Sequence, residues 1–288
     1  MDAYKPISRG RVVYIRWSIV KIILLVSAPF FAFFGFAYLS GIRPLVISNV
    51  KVEGYDRVNP TEVVMLVESY IEKPAFWFFS RRTIFFYPKK KMHSALLSSI
   101  PRIRTADLRV SDGNVLIVSI SERQVEALWC GNEPKKENDE LSTECYYLDD
   151  DAIVFARAPY FSGSVYLKWY GPVTDNEKIL GSSYLDIKKF RNLQEFTESI
   201  RRLGIMPLAM VPMKNGQYAL WLDPGPGRKD DILPKILFDS SSDLQKVALD
   251  FGSAIYVDPL KNQIENDYAK LQYIDLRFDN KVYYKFFK

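Results

Sequence analysis

Residues 22–42, IILLVSAPFFAFFGFAYLSGI, contain no charged side chain. About 20 such residues, at 1.5 Å of helical rise each, cross a hydrocarbon core about 30 Å thick. Pro29 and Gly35 interrupt the run, and both are tolerated in a lipid-embedded helix, where neighbouring groups satisfy the freed backbone. Lys21 and Arg43 bracket it. The basic residues Lys5, Arg9, Arg11, Arg16 and Lys21 precede the run against one acid, Asp2. That asymmetry predicts a cytoplasmic tail (1–21), one transmembrane helix (22–42) and an extracytoplasmic bulk. A cleaved signal peptide is the rival reading, because Gly35-Phe36-Ala37 imitates a small-x-small cleavage site. The apolar run continues past that site and the leading segment is long for a signal, so the anchored reading is preferred. No second run is long enough to cross.

Beyond the anchor the chain is composed like folded protein. Of its 288 residues 48% are hydrophobic and 25% charged, enough for one large core or two ordinary ones. The net charge of +5 is not gathered into a basic stripe interleaved with aromatics over a folded region, so nucleic acid is not an expected partner. The single histidine, His93, sits in PKKKMHSALLSSIP (88–101), an amphipathic helix, which removes His-cluster metal sites and argues against a histidine-based triad. Carboxylate or Ser-Lys chemistry has no motif here. Asp149-Asp150-Asp151 lacks the spaced ligands and glycine of a calcium loop and reads as a solvated hairpin tip. DPGPGRKDD (223–231) lacks the Gly-Lys-Ser/Thr of a phosphate loop. The expectation is a protein with no catalytic residue, metal, cofactor or small-molecule substrate.

Cys130 and Cys145 are the two cysteines, at the ends of a polar loop. In an oxidising compartment they read as a structural disulfide, with two free thiols as the other reading; the spacing is not that of a CxxC metal site.

Two patterns divide the outer region. In the first, a strand over 47–53 stops at Gly54, and Asn59-Pro60-Thr61-Glu62 opens a helix with cap, proline and acid in their favoured positions. Its stripe is Val63, Val64, Leu66, Val67, Tyr70 and Ile71, ended at Lys73-Pro74. A second helix over 88–99 and two strands turned at Asp112-Gly113 complete a strand-helix-helix-strand-strand unit. The aromatic cluster FWFFSRRTIFFY (76–87) either fills the core between the helices, the preferred reading, or stays exposed against lipid headgroups or a partner. From about Ala127 short strands prevail. They include CYYLDDDAIVFA, SVYLKWYG and a hairpin turned at Asn215-Gly216, with helices over 190–203 and 243–256.

The first unit, VKVEGYDRVNPTEV…IPRIRTADLRVSDGNVLIVSISER, resembles the POTRA domain of the FtsQ/DivIB family of bacterial cell-division proteins. The Val-x-Gly strand end, the Pro-x-Ile hairpin entry and the exit at Glu122-Arg123 carry the resemblance. The chain departs from the family at QVEALW, where a proline and a small residue are usual. YYLDDDAIVF and the closing YIDLRFDNKVYYKF resemble that family's β-domain. The resemblance implies an α+β fold: the anchor, a POTRA domain (45–123, β-α-α-β-β), then a mainly antiparallel β-domain (124–288) with flanking helices and a C-terminal edge strand. It implies a bitopic protein of the cytoplasmic membrane at the division septum. Such a protein recruits or bridges FtsB- and FtsL-type bitopic partners and helps control septal peptidoglycan synthesis, without catalysis. The alternatives are a POTRA protein of envelope assembly or secretion, and a membrane-anchored envelope hydrolase.

The closing segment predicts a hairpin at Asp279-Asn280, with apolar side chains at Ile274, Leu276 and Phe278 and again at Val282, Tyr284 and Phe286. A two-residue turn sets Phe278 opposite Lys281. A three-residue turn pairs Phe278 with Val282, Leu276 with Tyr284 and Ile274 with Phe286, burying one consistent face, and is the preferred register. The resemblance makes the unpaired edge of the last strand the docking place for a partner strand. The implied contact residues are Arg277, Phe278, Asn280, Val282, Tyr283, Tyr284 and Phe286.

Overall fold

A computed structural model describes residues 9–39, 45–72, 81–134, 144–161, 165–175, 177–228, 233–279 and 281–288; within the first helix it describes side chains at 17 and 20–35. The fold is α+β, with mixed sheets in two compact units, Met1–Glu122 and Arg123–Lys288.

The first unit begins with α1 (Arg9–Leu39). Its consecutive residues Ile22, Ile23, Leu24, Leu25 and Val26 are all exposed, as are Phe30, Phe31, Phe33 and Phe34, so this stretch of the helix is apolar all round, after the basic residues of its first turns. Among the described residues no helix is long and apolar enough to cross a membrane. The span expected over 22–42 extends beyond those residues.

A three-stranded sheet follows, built from β1 (Asn49–Glu53), β2 (Ile103–Ser111) and β3 (Val115–Glu122), with α2 (Pro60–Ile71) and α3 (Lys89–Ser99) between β1 and β2 in sequence. The strand order is β1-β3-β2, with β1 parallel to β3 and β2 antiparallel to it. The Asn59 side chain accepts the Thr61 N–H at 3.0 Å and caps α2, as its sequence predicts. Val63, Val67 and Ile71 of α2 and Met92 and Leu96 of α3 bury against Val50, Leu108, Leu116 and Val118. Gly54 has φ +81°, and a Cβ there would run into the Ile120 carbonyl oxygen, so the Val-x-Gly strand end requires glycine.

The core-filling reading of the aromatic cluster fails for two of its members. Phe85 and Phe86 are 69% and 55% exposed. The chain before them is pinned to the start of the unit: Ile47 N donates to Arg82 O at 2.7 Å, and Ile84 N to Leu45 O at 3.0 Å. That ladder turns Thr83 inward and packs Ile84 and Tyr87 on the core, leaving the two phenylalanines outside. Residues 76–79 lie outside the described residues.

The second unit is a nine-stranded sheet. Its strands are β4 (Ala127–Trp129), β5 (Tyr146–Leu148), β6 (Val154–Arg157), β7 (Lys168–Trp169), β8 (Pro207–Pro212), β9 (Gln217–Leu222), β10 (Lys235–Asp239), β11 (Leu271–Phe278) and β12 (Lys281–Phe286). They run in the order β12-β11-β10-β9-β8-β7-β4-β5-β6, mostly antiparallel, with β4–β7, β7–β8 and β10–β11 parallel. Among the described residues this unit has the α-helices α4 (Ile187–Arg202), α5 (Leu244–Ala254) and α6 (Leu260–Asp267). Phe190, Leu193, Phe196 and Ile200 of α4 and Leu244, Ala248 and Phe251 of α5 join Trp169, Leu220, Ile236, Phe238 and Ile274 in the main core. Asp186 and Asp243 accept the first backbone N–H groups of α4 and α5, which sets both helix starts. The helix α6 has no counterpart in the sequence reading: of LKNQIEND only Leu260 is buried, too little to leave an apolar period.

Trp129 pairs with Tyr146, so Cys130 and Cys145 fall opposite each other one position further on, where they are joined as a disulfide. Asp149 corrects the solvated-tip expectation, because it is completely buried. Its carboxylate accepts the N–H groups of Asp151 (3.0 Å) and Ile153 (2.8 Å) and pairs with Arg123. The tight turn needs an inward acceptor for its own N–H groups, and Arg123 offsets the charge so buried. Asp150 and Asp151 remain partly exposed.

Candidate partner-binding edge

The strand β12 is the last of the sheet and ladders with β11; among the described residues its other edge has no ladder partner. Its residues alternate in environment. Val282, Tyr284 and Phe286 are half-buried and pack on the main core, while Lys281, Tyr283 and Lys285 are exposed. This alternation is what a sequence period of two demands.

The register differs from the preferred one. Phe278 pairs with Lys281, so the turn holds two residues, and further along Asp275 pairs with Tyr283, Ile274 with Tyr284 and Leu271 with Phe286. Leu276 and Arg277 together face Val282 in a bulge. The apolar faces do have to coincide, but two register shifts inside β11, between Leu271 and Tyr273 and between Asp275 and Phe278, bring this about rather than a longer turn. Phe278 thereby stays exposed at the tip, where its ring meets that of Tyr283 edge-on at 5.1 Å. Asn280 lies outside the described residues.

Arg277 is committed elsewhere. Its Nε and Nη2 donate to the two carboxylate oxygens of Asp275 and its Nη1 to Gln217 Oε1 at 2.9 Å. Asp275 itself, which alternation assigns to the face opposite Ile274 and Leu276, is nonetheless buried. Burial pushes its carboxyl up, but the hydrogen bonds and charge of Arg277 pull harder and hold it below the ordinary value. Sequence reasoning passed over this residue. The Asp-x-Arg spacing, which a strand's period of two sets on one face, is the signal that could have found it.

Beside the hairpin tip lies a cavity of about 320 Å³, between the start of α5 and the residues Leu276, Phe278 and Val282. Val247 and Phe251 contribute to its apolar lining, and Asp243, Asp250 and Asp279 to its charged lining. Lys246 bonds Asp250 at 2.7 Å; that bond raises the ammonium's proton affinity against a lesser opposing effect of burial, and the charges of Asp250, Asp279 and Asp243 add to it. The structure thus brings Phe278 and Val282 to the cavity and joins Tyr283 to Phe278. It sets Tyr284 and Phe286 on the core, and ties Arg277 to Asp275. A strand laid along β12 would gain main-chain hydrogen bonds and side-chain contacts on both faces. The chain matches no protein-family model, and it matches no curated protein.

Proposed function

We propose that this protein is a single-pass, non-catalytic division protein that captures a bitopic partner of FtsB or FtsL type by strand addition to β12. In this reading it gathers division proteins at the septum and so helps control septal peptidoglycan synthesis. The observation that carries the proposal is the open edge of β12, at the end of a nine-stranded sheet, with its three aromatic or aliphatic side chains only half covered. Strand addition draws affinity from main-chain hydrogen bonds and specificity from the alternate side chains. The exposed apolar surface of α1 from Ile22 to Phe34 supports the membrane anchor, since a stretch of helix without a polar face needs either protein or lipid around it. The resemblance of the closing hairpin and of the first unit to the FtsQ/DivIB family supplies the division role.

One observation favours a second reading, a plain edge. Lys281, Lys285 and Lys288 line β12 and its end, and lysines on an edge strand discourage pairing. A photo-crosslinker at Tyr283, in cells carrying a fluorescent fusion of the full chain, separates the two. Capture of a small bitopic protein at mid-cell supports docking. A chain at mid-cell that captures nothing leaves β12 a guarded edge, and uniform envelope fluorescence removes the division role.

A further inference from the structure

We infer that the loop before α3 is a second membrane contact, in which Phe85 and Phe86 enter the headgroup region of an anionic bilayer and Lys89, Lys90 and Lys91 bind its phosphates. The inference rests on reading residues 22–42 as the anchor. Four observations meet here. The two phenylalanines are adjacent and exposed, at a site with no need of them in the core. The basic residues follow within a few positions on the first turn of α3, all three exposed, with Lys89 bonded to Asp107 at 3.0 Å. Arg81 and Arg82 precede the pair, Arg82 donating to the Ile47 carbonyl at 2.7 Å. The backbone of Ile84, the residue before Phe85, is hydrogen-bonded to Leu45 at 3.0 Å.

The last of these fixes the geometry. Ile42, the end of the proposed span, precedes Leu45 by three residues, and an extended chain covers that interval in about 10 Å. The Phe85 backbone therefore cannot stand far from the bilayer surface, whatever the orientation of the rest of the unit. Aromatic side chains settle at the headgroup level, and attraction of lysines to anionic lipid fades within about a Debye length, roughly 8–10 Å at physiological salt. The loop at Phe85 meets both requirements. The opposite end of β1, leading into α2, carries Glu62 in the first helical turn and no such cluster. The contact would fix the tilt of the first unit over the membrane.

The test uses the full chain reconstituted in vesicles, with an environment-sensitive dye on Phe86→Cys and, separately, on Glu62→Cys as the distal control; the disulfide-bonded native cysteines do not react. In phosphatidylglycerol vesicles the dye at 86 should shift to the blue and be quenched by headgroup-proximal spin-labelled lipid, while the dye at 62 stays water-like. Phosphatidylcholine vesicles, or Lys89→Glu, Lys90→Glu and Lys91→Glu together, should lower that quenching at least about twofold. Quenching at 86 that ignores both lipid charge and these substitutions overturns the phosphate-binding part, and equal, water-like signals at 86 and 62 overturn the contact. Alkaline carbonate extraction checks the anchor separately. A chain that stays in the vesicles with a water-like signal at 86 refutes the contact alone, whereas a chain released by carbonate refutes the anchor and the contact with it.

Discussion

Arg277 grips the buried carboxylate of Asp275, two residues earlier on β11, with Nε at 2.8 Å from one oxygen and Nη2 at 2.5 Å from the other. A strand sends residues two apart to one face, and the guanidinium folds back over the carboxylate. Arg277→Ala should destabilise the chain by about 2 kcal/mol at pH 7, because it strands a buried charge. A double-mutant cycle with Asp275→Asn, read by urea unfolding, isolates the pair. The Asp275 carboxyl is depressed on folding, so its contribution is present above its unfolded value near 3.8 and is lost as pH falls below that. The coupling should therefore shrink between pH 7 and pH 3. A coupling that is constant over that range would contradict the ion pair.

One oxygen of Glu122, at the end of β3, accepts the N–H groups of Asp56 (2.7 Å), Arg57 (2.8 Å) and Val58 (2.8 Å). Burial raises its carboxyl, but these three bonds, with the charge of Arg102, hold it below its ordinary value of 4.5. Glu122→Ala should accelerate amide exchange at residues 56–58 about tenfold or more, by opening about 1.5 kcal/mol of local structure. Glu122→Gln, which keeps an acceptor without the charge, should fall between the two. In the unsubstituted chain the same amides should lose protection as pH drops below the carboxyl's ordinary value of 4.5 and through its lowered folded value, once exchange is corrected for its intrinsic pH dependence.

The Cys130–Cys145 disulfide closes a separation of 15 residues. On the chain-entropy account a loop of that size contributes about 3 kcal/mol. Replacing both cysteines with serine should lower stability by an amount of that order, and non-reducing mass spectrometry should find the two peptides linked. Free thiols in protein taken directly from the envelope would count against the bridge.

In the proposed reading, a partner strand on β12 would have to satisfy two faces at once. One meets the half-buried Val282, Tyr284 and Phe286, the other the exposed Lys281, Tyr283 and Lys285. The complement is a strand with apolar and acidic residues in alternation. Lys281→Glu with Lys285→Glu should weaken capture about tenfold without altering thermal stability. Tyr284→Pro should abolish capture by removing a strand hydrogen-bond donor, with some loss of stability. Unchanged capture in the double glutamate variant would show that the exposed face takes no part.

The anchor is checked in intact cells. A cysteine at Ser8 should resist a membrane-impermeant thiol reagent, and one at the exposed Asn192 should react. The reverse pattern, or a mature chain beginning near Tyr38, rejects the topology.

Local chemistry by itself determined the elements that depend on neighbours along the chain. Asn59-Pro60 starts α2 and Asp243 starts α5, because a cap bonds N–H groups two or three residues away. The hairpin of β2 and β3 and the alternation along β12 follow in the same way from turn residues and a period of two. The tertiary structure alone decided the rest. The register of β11 and β12 rests on two shifts within β11 that no turn residue announces, because they arise from matching two apolar faces to one core. Asp149 and Asp275 look like surface carboxylates in sequence. They are buried, and their charges are offset by Arg123, distant in sequence from Asp149, and by Arg277, paired with Asp275. Phe85 and Phe86 look like core residues, yet a ladder to residues 45–47 gives the core positions to Thr83 and Ile84. Whether a side chain is inside or outside depends on which distant groups meet it, and that is a property of the packed chain.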